Sequence, residues 1–220
     1  MTTTLQATEL YRFYHAGDEE TLALRGVSLD VDAGEMVAVT GPSGSGKSTL
    51  LACLAGLDDP DGGTVHIDGE PLSRRSEPAR ARIRAQRIGV MFQTANLLEH
   101  LTVGENVAVA RRLAGRRGAA RVGELLDDLG IRDRDRAHPS ELSGGELARA
   151  GLAVALANDP SVILADEPTG ELDRANAARL IALLRARTRA GCATVIVTHN
   201  EALAREADRI VVLRDGTVER

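Results

Sequence analysis

The segment VAVTGPSGSGKSTLLACLAGL, Val37 to Leu57, constrains the chain more than any other. A short apolar run passes into a glycine-rich loop and then into a helical pattern. Gly41, Gly46, Lys47 and Ser48 fill the spacing GxxxxGK[ST] in the strand–loop–helix context that this spacing requires. Glycines let successive backbone N–H groups curl around an anion, and the helix that follows adds unpaired amides and the positive end of its dipole. The loop Gly41, Pro42, Ser43, Gly44, Ser45, Gly46, Lys47, Ser48 and Thr49 is therefore expected to cradle the phosphates of a nucleotide. Lys47 would reach the β- and γ-phosphates, and the Ser48 hydroxyl would meet Mg²⁺. Lys47 is the only lysine in the chain. A sequence this biased toward arginine keeps lysine where a flat guanidinium does not replace a compact ammonium.

Further strand-like runs lie at 27–31, 36–40, 64–68, 88–92, 162–166 and 194–198, and a last hairpin turns at Asp215-Gly216. The runs at 36, 162 and 194 are continuously apolar, as in strands covered on both faces. From about Val103 to Ala157 the pattern is helical, so an α/β fold with an all-helical insertion is expected. With Tyr11, Phe13, Tyr14 and Phe92 as its only aromatics, the core must be aliphatic. Cys53 and Cys192 show no metal or disulfide spacing and read as small buried hydrophobes in a reducing compartment. The basic stretch SRRSEPARARIRAQR reads as a solvated helix face, or as a surface near anionic headgroups or a partner.

Two adjacent acids follow the apolar run at 162. A strand that deposits Asp166 at its C-terminal end places it in the crevice where parallel sheets bind ligands. Asp166 would hold Mg²⁺, and Glu167 would polarise an attacking water as general base. A second helix start follows Leu142. Ser143-Gly144-Gly145-Glu146 has the spacing of a capping box. Two glycines in a first turn cost up to about 1 kcal/mol each relative to alanine, which makes sense if an anion approaches bare backbone. One nucleotide does not need two cradles from one chain. Two copies placed head-to-tail about a twofold axis need both.

Taken in this order, the motifs resemble those of the ATP-binding subunits of ABC transporters over nearly the whole chain. The resemblance implies a P-loop NTPase (RecA-like) core with an antiparallel β subdomain and an inserted all-helical subdomain. It implies a single domain spanning 1–220, with core and β subdomain at 1–92 and 158–220 and the helical subdomain at about 93–157. Ser143, Gly144 and Gly145 match the signature that contacts the γ-phosphate of ATP held by the opposite subunit. Tyr14 falls where the family stacks an aromatic on adenine, while Tyr11 and Phe13 look like core, though either could take that role. Gln93 matches the glutamine that senses Mg²⁺ and water, Asp173 the aspartate that crosses the dimer interface, and His199 the histidine that bonds the γ-phosphate and attacking water. The segments LLEHLTVGENV and LADEPTGELD look like the ATPases of macrolide exporters, lipoprotein-release complexes and a cell-division pair, in which dimer closure drives a separate permease.

Three positions depart from the pattern: Glu146 stands for the signature glutamine, Val154 for an arginine, and Asn200 for an aspartate. Glu146 brings a negative charge near a phosphate, and asparagine caps helices as aspartate does. The expected cofactors are ATP and Mg²⁺, and the expected partners are an integral-membrane permease and a second copy of the chain. A net charge of −5 argues against nucleic acid. With no leader and no run near the roughly 20 residues needed to span a bilayer, the chain is expected to be cytoplasmic and peripheral on the membrane. Other readings are an ATP-binding recruitment or division protein with little hydrolysis, a phosphate-loop kinase, and a soluble ATPase of DNA repair or translation. A kinase has no use for Ser143 to Gly145 or Asp173, and the repair and translation ATPases carry long coiled coils or tandem cassettes.

Overall fold

The computed structural model describes residues 3–16, 19–92, 97–118 and 120–219. The apolar runs form the middle of a six-stranded sheet. Its members are β3 (Met36–Thr40), β6 (Ile88–Met91), β7 (Val162–Asp166), β8 (Ala193–Val197), β9 (Arg209–Arg214) and β10 (Thr217–Val218), in the order β10-β9-β3-β8-β7-β6. All neighbours are parallel except the β9–β10 hairpin. That hairpin turns at Asp215 and Gly216, both with positive φ (47° and 78°), as a two-residue primed turn requires.

Alternation along these strands feeds two cores. Val37, Val39, Val162, Leu164, Val195 and Val197 face one, shared with α1 (Lys47–Leu54) and the second sheet. Met36, Ile163, Ala165 and Ile196 face the other, which packs against α3 (Val103–Leu113), α4 (Ala120–Asp128), α5 (Gly144–Leu156) and α6 (Arg174–Arg189). Among the described residues both cores are made of aliphatic side chains with cysteine and methionine, as the scarcity of aromatics demanded.

The second sheet is antiparallel, ordered β2-β1-β4-β5, from β1 (Thr3–Ala16), β2 (Glu19–Asp32), β4 (Gly62–Ile67) and β5 (Glu70–Pro71). The run at 27–31 is thus the end of a strand of 14 residues. Its partner β1 is hidden in the sequence because register shifts interrupt the alternation between Ala7 and Leu10, after Leu10, and after Arg12. Those shifts also correct the reading of Tyr11 as core. Tyr11 is 39% exposed and Phe13 is half-buried. The Tyr11 ring lies over Gly26 and Gly62, where the added β-carbon of any other residue would press on it.

Between β6 and β7 the described elements are all helical. The basic stretch becomes α2 (Glu77–Arg87), whose arginines are largely engaged. Arg80 and Arg84 pair with Glu77, and Arg87 pairs with Asp68 and Glu70. Cys53 is buried, whereas Cys192 is half-buried with its thiol donating to the Pro160 carbonyl at 3.0 Å. Among the described residues no helix is long and apolar enough to cross a membrane.

Candidate active site

Register brings the chemistry to one edge of the sheet. Val39 and Asp166 both sit opposite Val197, so β3, β7 and β8 end level. The phosphate loop, the acid pair and His199 therefore emerge side by side.

The loop is shaped by what its glycines touch. Gly41 (φ 145°) lies against the Leu213 carbonyl, and Gly46 (φ 102°) against the Ala23 carbonyl, so a side chain at either would strike backbone. Gly44 (φ 77°) faces open space and is needed only for its backbone angle. Lys47 Nζ donates to the carbonyls of Gly41 (2.9 Å) and Pro42 (2.7 Å), and the Gly216 amide donates to the Ser45 carbonyl at 3.1 Å. Ser45 is buried, and its Oγ has no partner among the described residues. Helix α1 starts with no side-chain cap and no acid in its first turn. Its leading amides therefore remain unused by side chains, which is the condition for binding an anion.

Tyr14 joins the loop in one cavity of about 540 Å³, lined also by Thr21, Ser43, Gly44, Lys47 and Ser48. The tyrosine is 40% exposed and pinned: its hydroxyl donates to Asp58 at 2.9 Å, and the Arg12 guanidinium lies 4.8 Å from its ring centroid. Asp58 and Asp61 fix Arg12 in turn, at 2.8 and 2.9 Å.

Asp166 is half-buried. Burial, and then the charge of Glu167, push its carboxyl above the usual range, while Lys47 pulls it down. A half-buried carboxylate close enough to Lys47 to feel its charge is a hard oxygen donor of the kind that suits Mg²⁺. That ion takes one or two protein oxygens and completes its shell with phosphate and water. Ser48 and Asp166 would hold it, and it would supply charge neutralisation at the phosphates. Gln93 lies outside the described residues.

Glu167 adopts the left-handed region (φ 43°), unusual for a residue with a side chain. Its amide donates to the Val197 carbonyl at 2.9 Å. One carboxylate oxygen accepts from the Thr198 hydroxyl at 2.8 Å; the other accepts from the His199 amide at 2.7 Å and lies 2.6 Å from His199 Nδ1. Thr198, missed in the sequence, is thus as close to the acid as the histidine is. Its place between an apolar strand and His199 was the available signal.

The second helix start is capped as its spacing required. The Ser143 amide and hydroxyl donate to Glu146 Oε2 at 2.9 and 2.7 Å, and the Glu146 amide donates back to Ser143 Oγ at 3.4 Å. The other Glu146 oxygen accepts from Arg134 Nε at 2.7 Å. The Ser143 amide, Arg134 and the Ser143 hydroxyl together hold the Glu146 carboxyl down to about 2. The negative charge introduced at 146 is therefore answered within the chain, by a residue the sequence did not reveal.

The two glycines differ. Gly144 is exposed, and a β-carbon there would make ordinary contacts with Leu172 and Glu171. Gly145 is buried against the Asn176 amide, so packing rather than anion approach demands its small size. Asn176 also donates to Asp173 Oδ2 at 2.7 Å and accepts from Arg149 at 3.3 Å. Asp173 is exposed and caps α6 through the Asn176 amide at 2.9 Å. Asn200 caps α7 (Glu201–Ala204) through the amides of Ala202 and Leu203, as expected of a substitute for aspartate.

The sequence profile described as ABC transporter matches residues 24–170, most of the chain. The chain belongs to the ABC transporter family. Across its full length the cassette is 42% identical to the macrolide export ATP-binding/permease protein MacB of Escherichia coli K12, covering 34% of that protein. MacB of Shigella flexneri gives the same identity and coverage. The cassette thus spans about a third of the length of these curated relatives. Among solved structures it superposes with a TM-score of 0.91 on the dimeric structure of MJ0796, a bacterial ABC transporter cassette. The two are 37% identical over 98% of this chain and 97% of that one. A dimeric post-hydrolysis state of MJ0796 bound to ADP and Pi matches with the same score at 36% identity. The cassette is an ATPase of this type, with the α/β fold expected of it.

Proposed function

We propose that two copies of this cassette close head-to-tail around two ATP-Mg²⁺ and drive a separate integral-membrane permease. The observation that carries this reading is a separation. Tyr14 and the phosphate loop line one cavity, and Ser143 to Gly145 contribute nothing to it. Ser143 and Gly144 instead lie exposed, with the Ser143 amide and hydroxyl oriented by the Glu146 cap. Each half-site is complete only with the twin's helix start, and the dimeric MJ0796 structures support such a pairing.

In this reading Tyr14 stacks on adenine, and residues 41–49 wrap the phosphates. Lys47 leaves the Gly41 and Pro42 carbonyls for the β- and γ-phosphates. Glu167 orients and deprotonates the attacking water, with His199 and Gln93 beside it, and Asp173 meets the partner across the twofold axis. Positioning and charge neutralisation supply nearly all of the catalysis in phosphoryl transfer. The permease is expected to dock on the helical subdomain, and the resemblance to MacB favours an export or mechanotransmission role on the cytoplasmic face of the membrane.

The test is ATPase activity measured against protein concentration, in Mg²⁺ and again with the metal chelated. A site shared between copies gives a specific activity that rises with concentration and vanishes on chelation. A specific activity independent of dilution would show a site complete in one chain. Phosphate transfer to an added small acceptor would move the reading to a kinase.

A further inference from the structure

The chain is acidic overall, yet the helical subdomain gathers arginines around a cavity of about 720 Å³. Arg111, Arg112, Arg116, Arg117, Arg132 and Arg136 line it, against two acids, Glu105 and Asp135. Glu105 closes the capping box of α3 with Thr102, and Asp135 packs on Gly104. Arg116 pairs with Asp159 at 3.4 Å. Arg111 is buried, its Nη1 donating to the Ala157 carbonyl at 2.6 Å while its Nε has no partner among the described residues. Arg132 lies against Gly123, which leaves room for the guanidinium and for nothing larger on the helix.

None of the phosphate-loop residues, Ser143 to Gly145 or the acid pair lines this cavity, so it is separate from the ATP site. Six arginines against two acids leave this lining with an excess of positive charge, which an anionic ligand would offset. Guanidinium forks match phosphate oxygens in pairs, better than an ammonium would. The volume falls within the roughly 300–1,000 Å³ of small-molecule sites. It does not resemble the extended basic stripe that tracks a nucleic acid.

We propose that this cavity, between α3, α4 and the segment 132–136, binds a multiply charged phosphate group. Either a free polyphosphorylated compound or the headgroup of an anionic lipid supplies that chemistry. The test uses the full chain carrying Lys47→Ala, to weaken the phosphate loop, titrated calorimetrically with inorganic tripolyphosphate at low salt. Saturable binding is expected, weakened at least about tenfold when Arg132→Gln and Arg136→Gln are added, since each removes a charge-assisted hydrogen bond. With Lys47 intact, the same double change is expected to keep ATPase activity, which shows that the fold survives. Flotation with phosphatidylglycerol or phosphatidylcholine vesicles separates the sources. A lipid source gives flotation with the anionic vesicles alone, reversed by tripolyphosphate; a free source gives tripolyphosphate binding without flotation. Absence of both, or binding indifferent to Arg132→Gln/Arg136→Gln, overturns the proposal.

Discussion

At the scale of single residues, the site is defined by how few freedoms its acids retain. Glu167 is held in a left-handed backbone by the Val197 carbonyl and at its side chain by Thr198 and His199. Glu167→Gln keeps the shape and loses the base, so steady-state ATPase activity should fall by about 10²–10⁴-fold while ATP binding, measured by fluorescence of a nucleotide analogue, persists. Glu146 offers a pH signature. Its carboxyl sits at about 2, below its ordinary value of 4.5, so the stabilisation is complete above 4.5 and is lost as pH falls from there toward 2. Carboxyl NMR titration should show that low midpoint, and Arg134→Ala should raise it; an unmoved midpoint would mean that Arg134 contributes nothing. Burial pushes the Cys53 thiol up to about 12, so alkylation of the native protein should modify Cys192 first and leave Cys53 intact. Lys47, Asp166, Glu167 and His199 were legible because each follows an apolar strand with its own local spacing. Arg134 and Asn176 were not, since their roles come from partners 12 and 27 positions away.

Among the elements, α5 shows how one stretch can mix two demands. Gly144 and Gly145 look equivalent in sequence, and only the packing of α6 distinguishes them. Alanine at 145 gains about 1 kcal/mol of helix propensity but collides with an Asn176 amide anchored to Asp173 and Arg149. Overpacking of this kind costs about 1–3 kcal/mol, so urea denaturation of Gly145→Ala should show a net loss, relieved by adding Asn176→Ala. Gly144→Ala would make only ordinary contacts with Leu172 and Glu171 and should leave stability unchanged or improved, while the proposed approach of a phosphate to this exposed backbone predicts lower ATPase activity. Equal effects on both properties at both positions would contradict this division. The elements themselves were legible where periodicity was clean, in β3, β7 and β8. The long β1 was not, because its bulges move Tyr11 and its neighbours off a strict alternation and so expose a ring that a regular strand would bury.

For the whole molecule, parallel pairing sends the phosphate loop, Asp166 and His199 to one edge, and the helical insertion carries Ser143 and Gly144 away from that cavity. In the proposed reading these are two halves of a phosphate site that do not close on each other within one chain. Light scattering on Glu167→Gln with ATP and Mg²⁺ tests this most directly. Twice the monomer mass with ATP, reverting when Ser143 is changed to arginine in the same chain, is the expected result. A mass that stays monomeric with ATP bound at saturation would contradict the shared site.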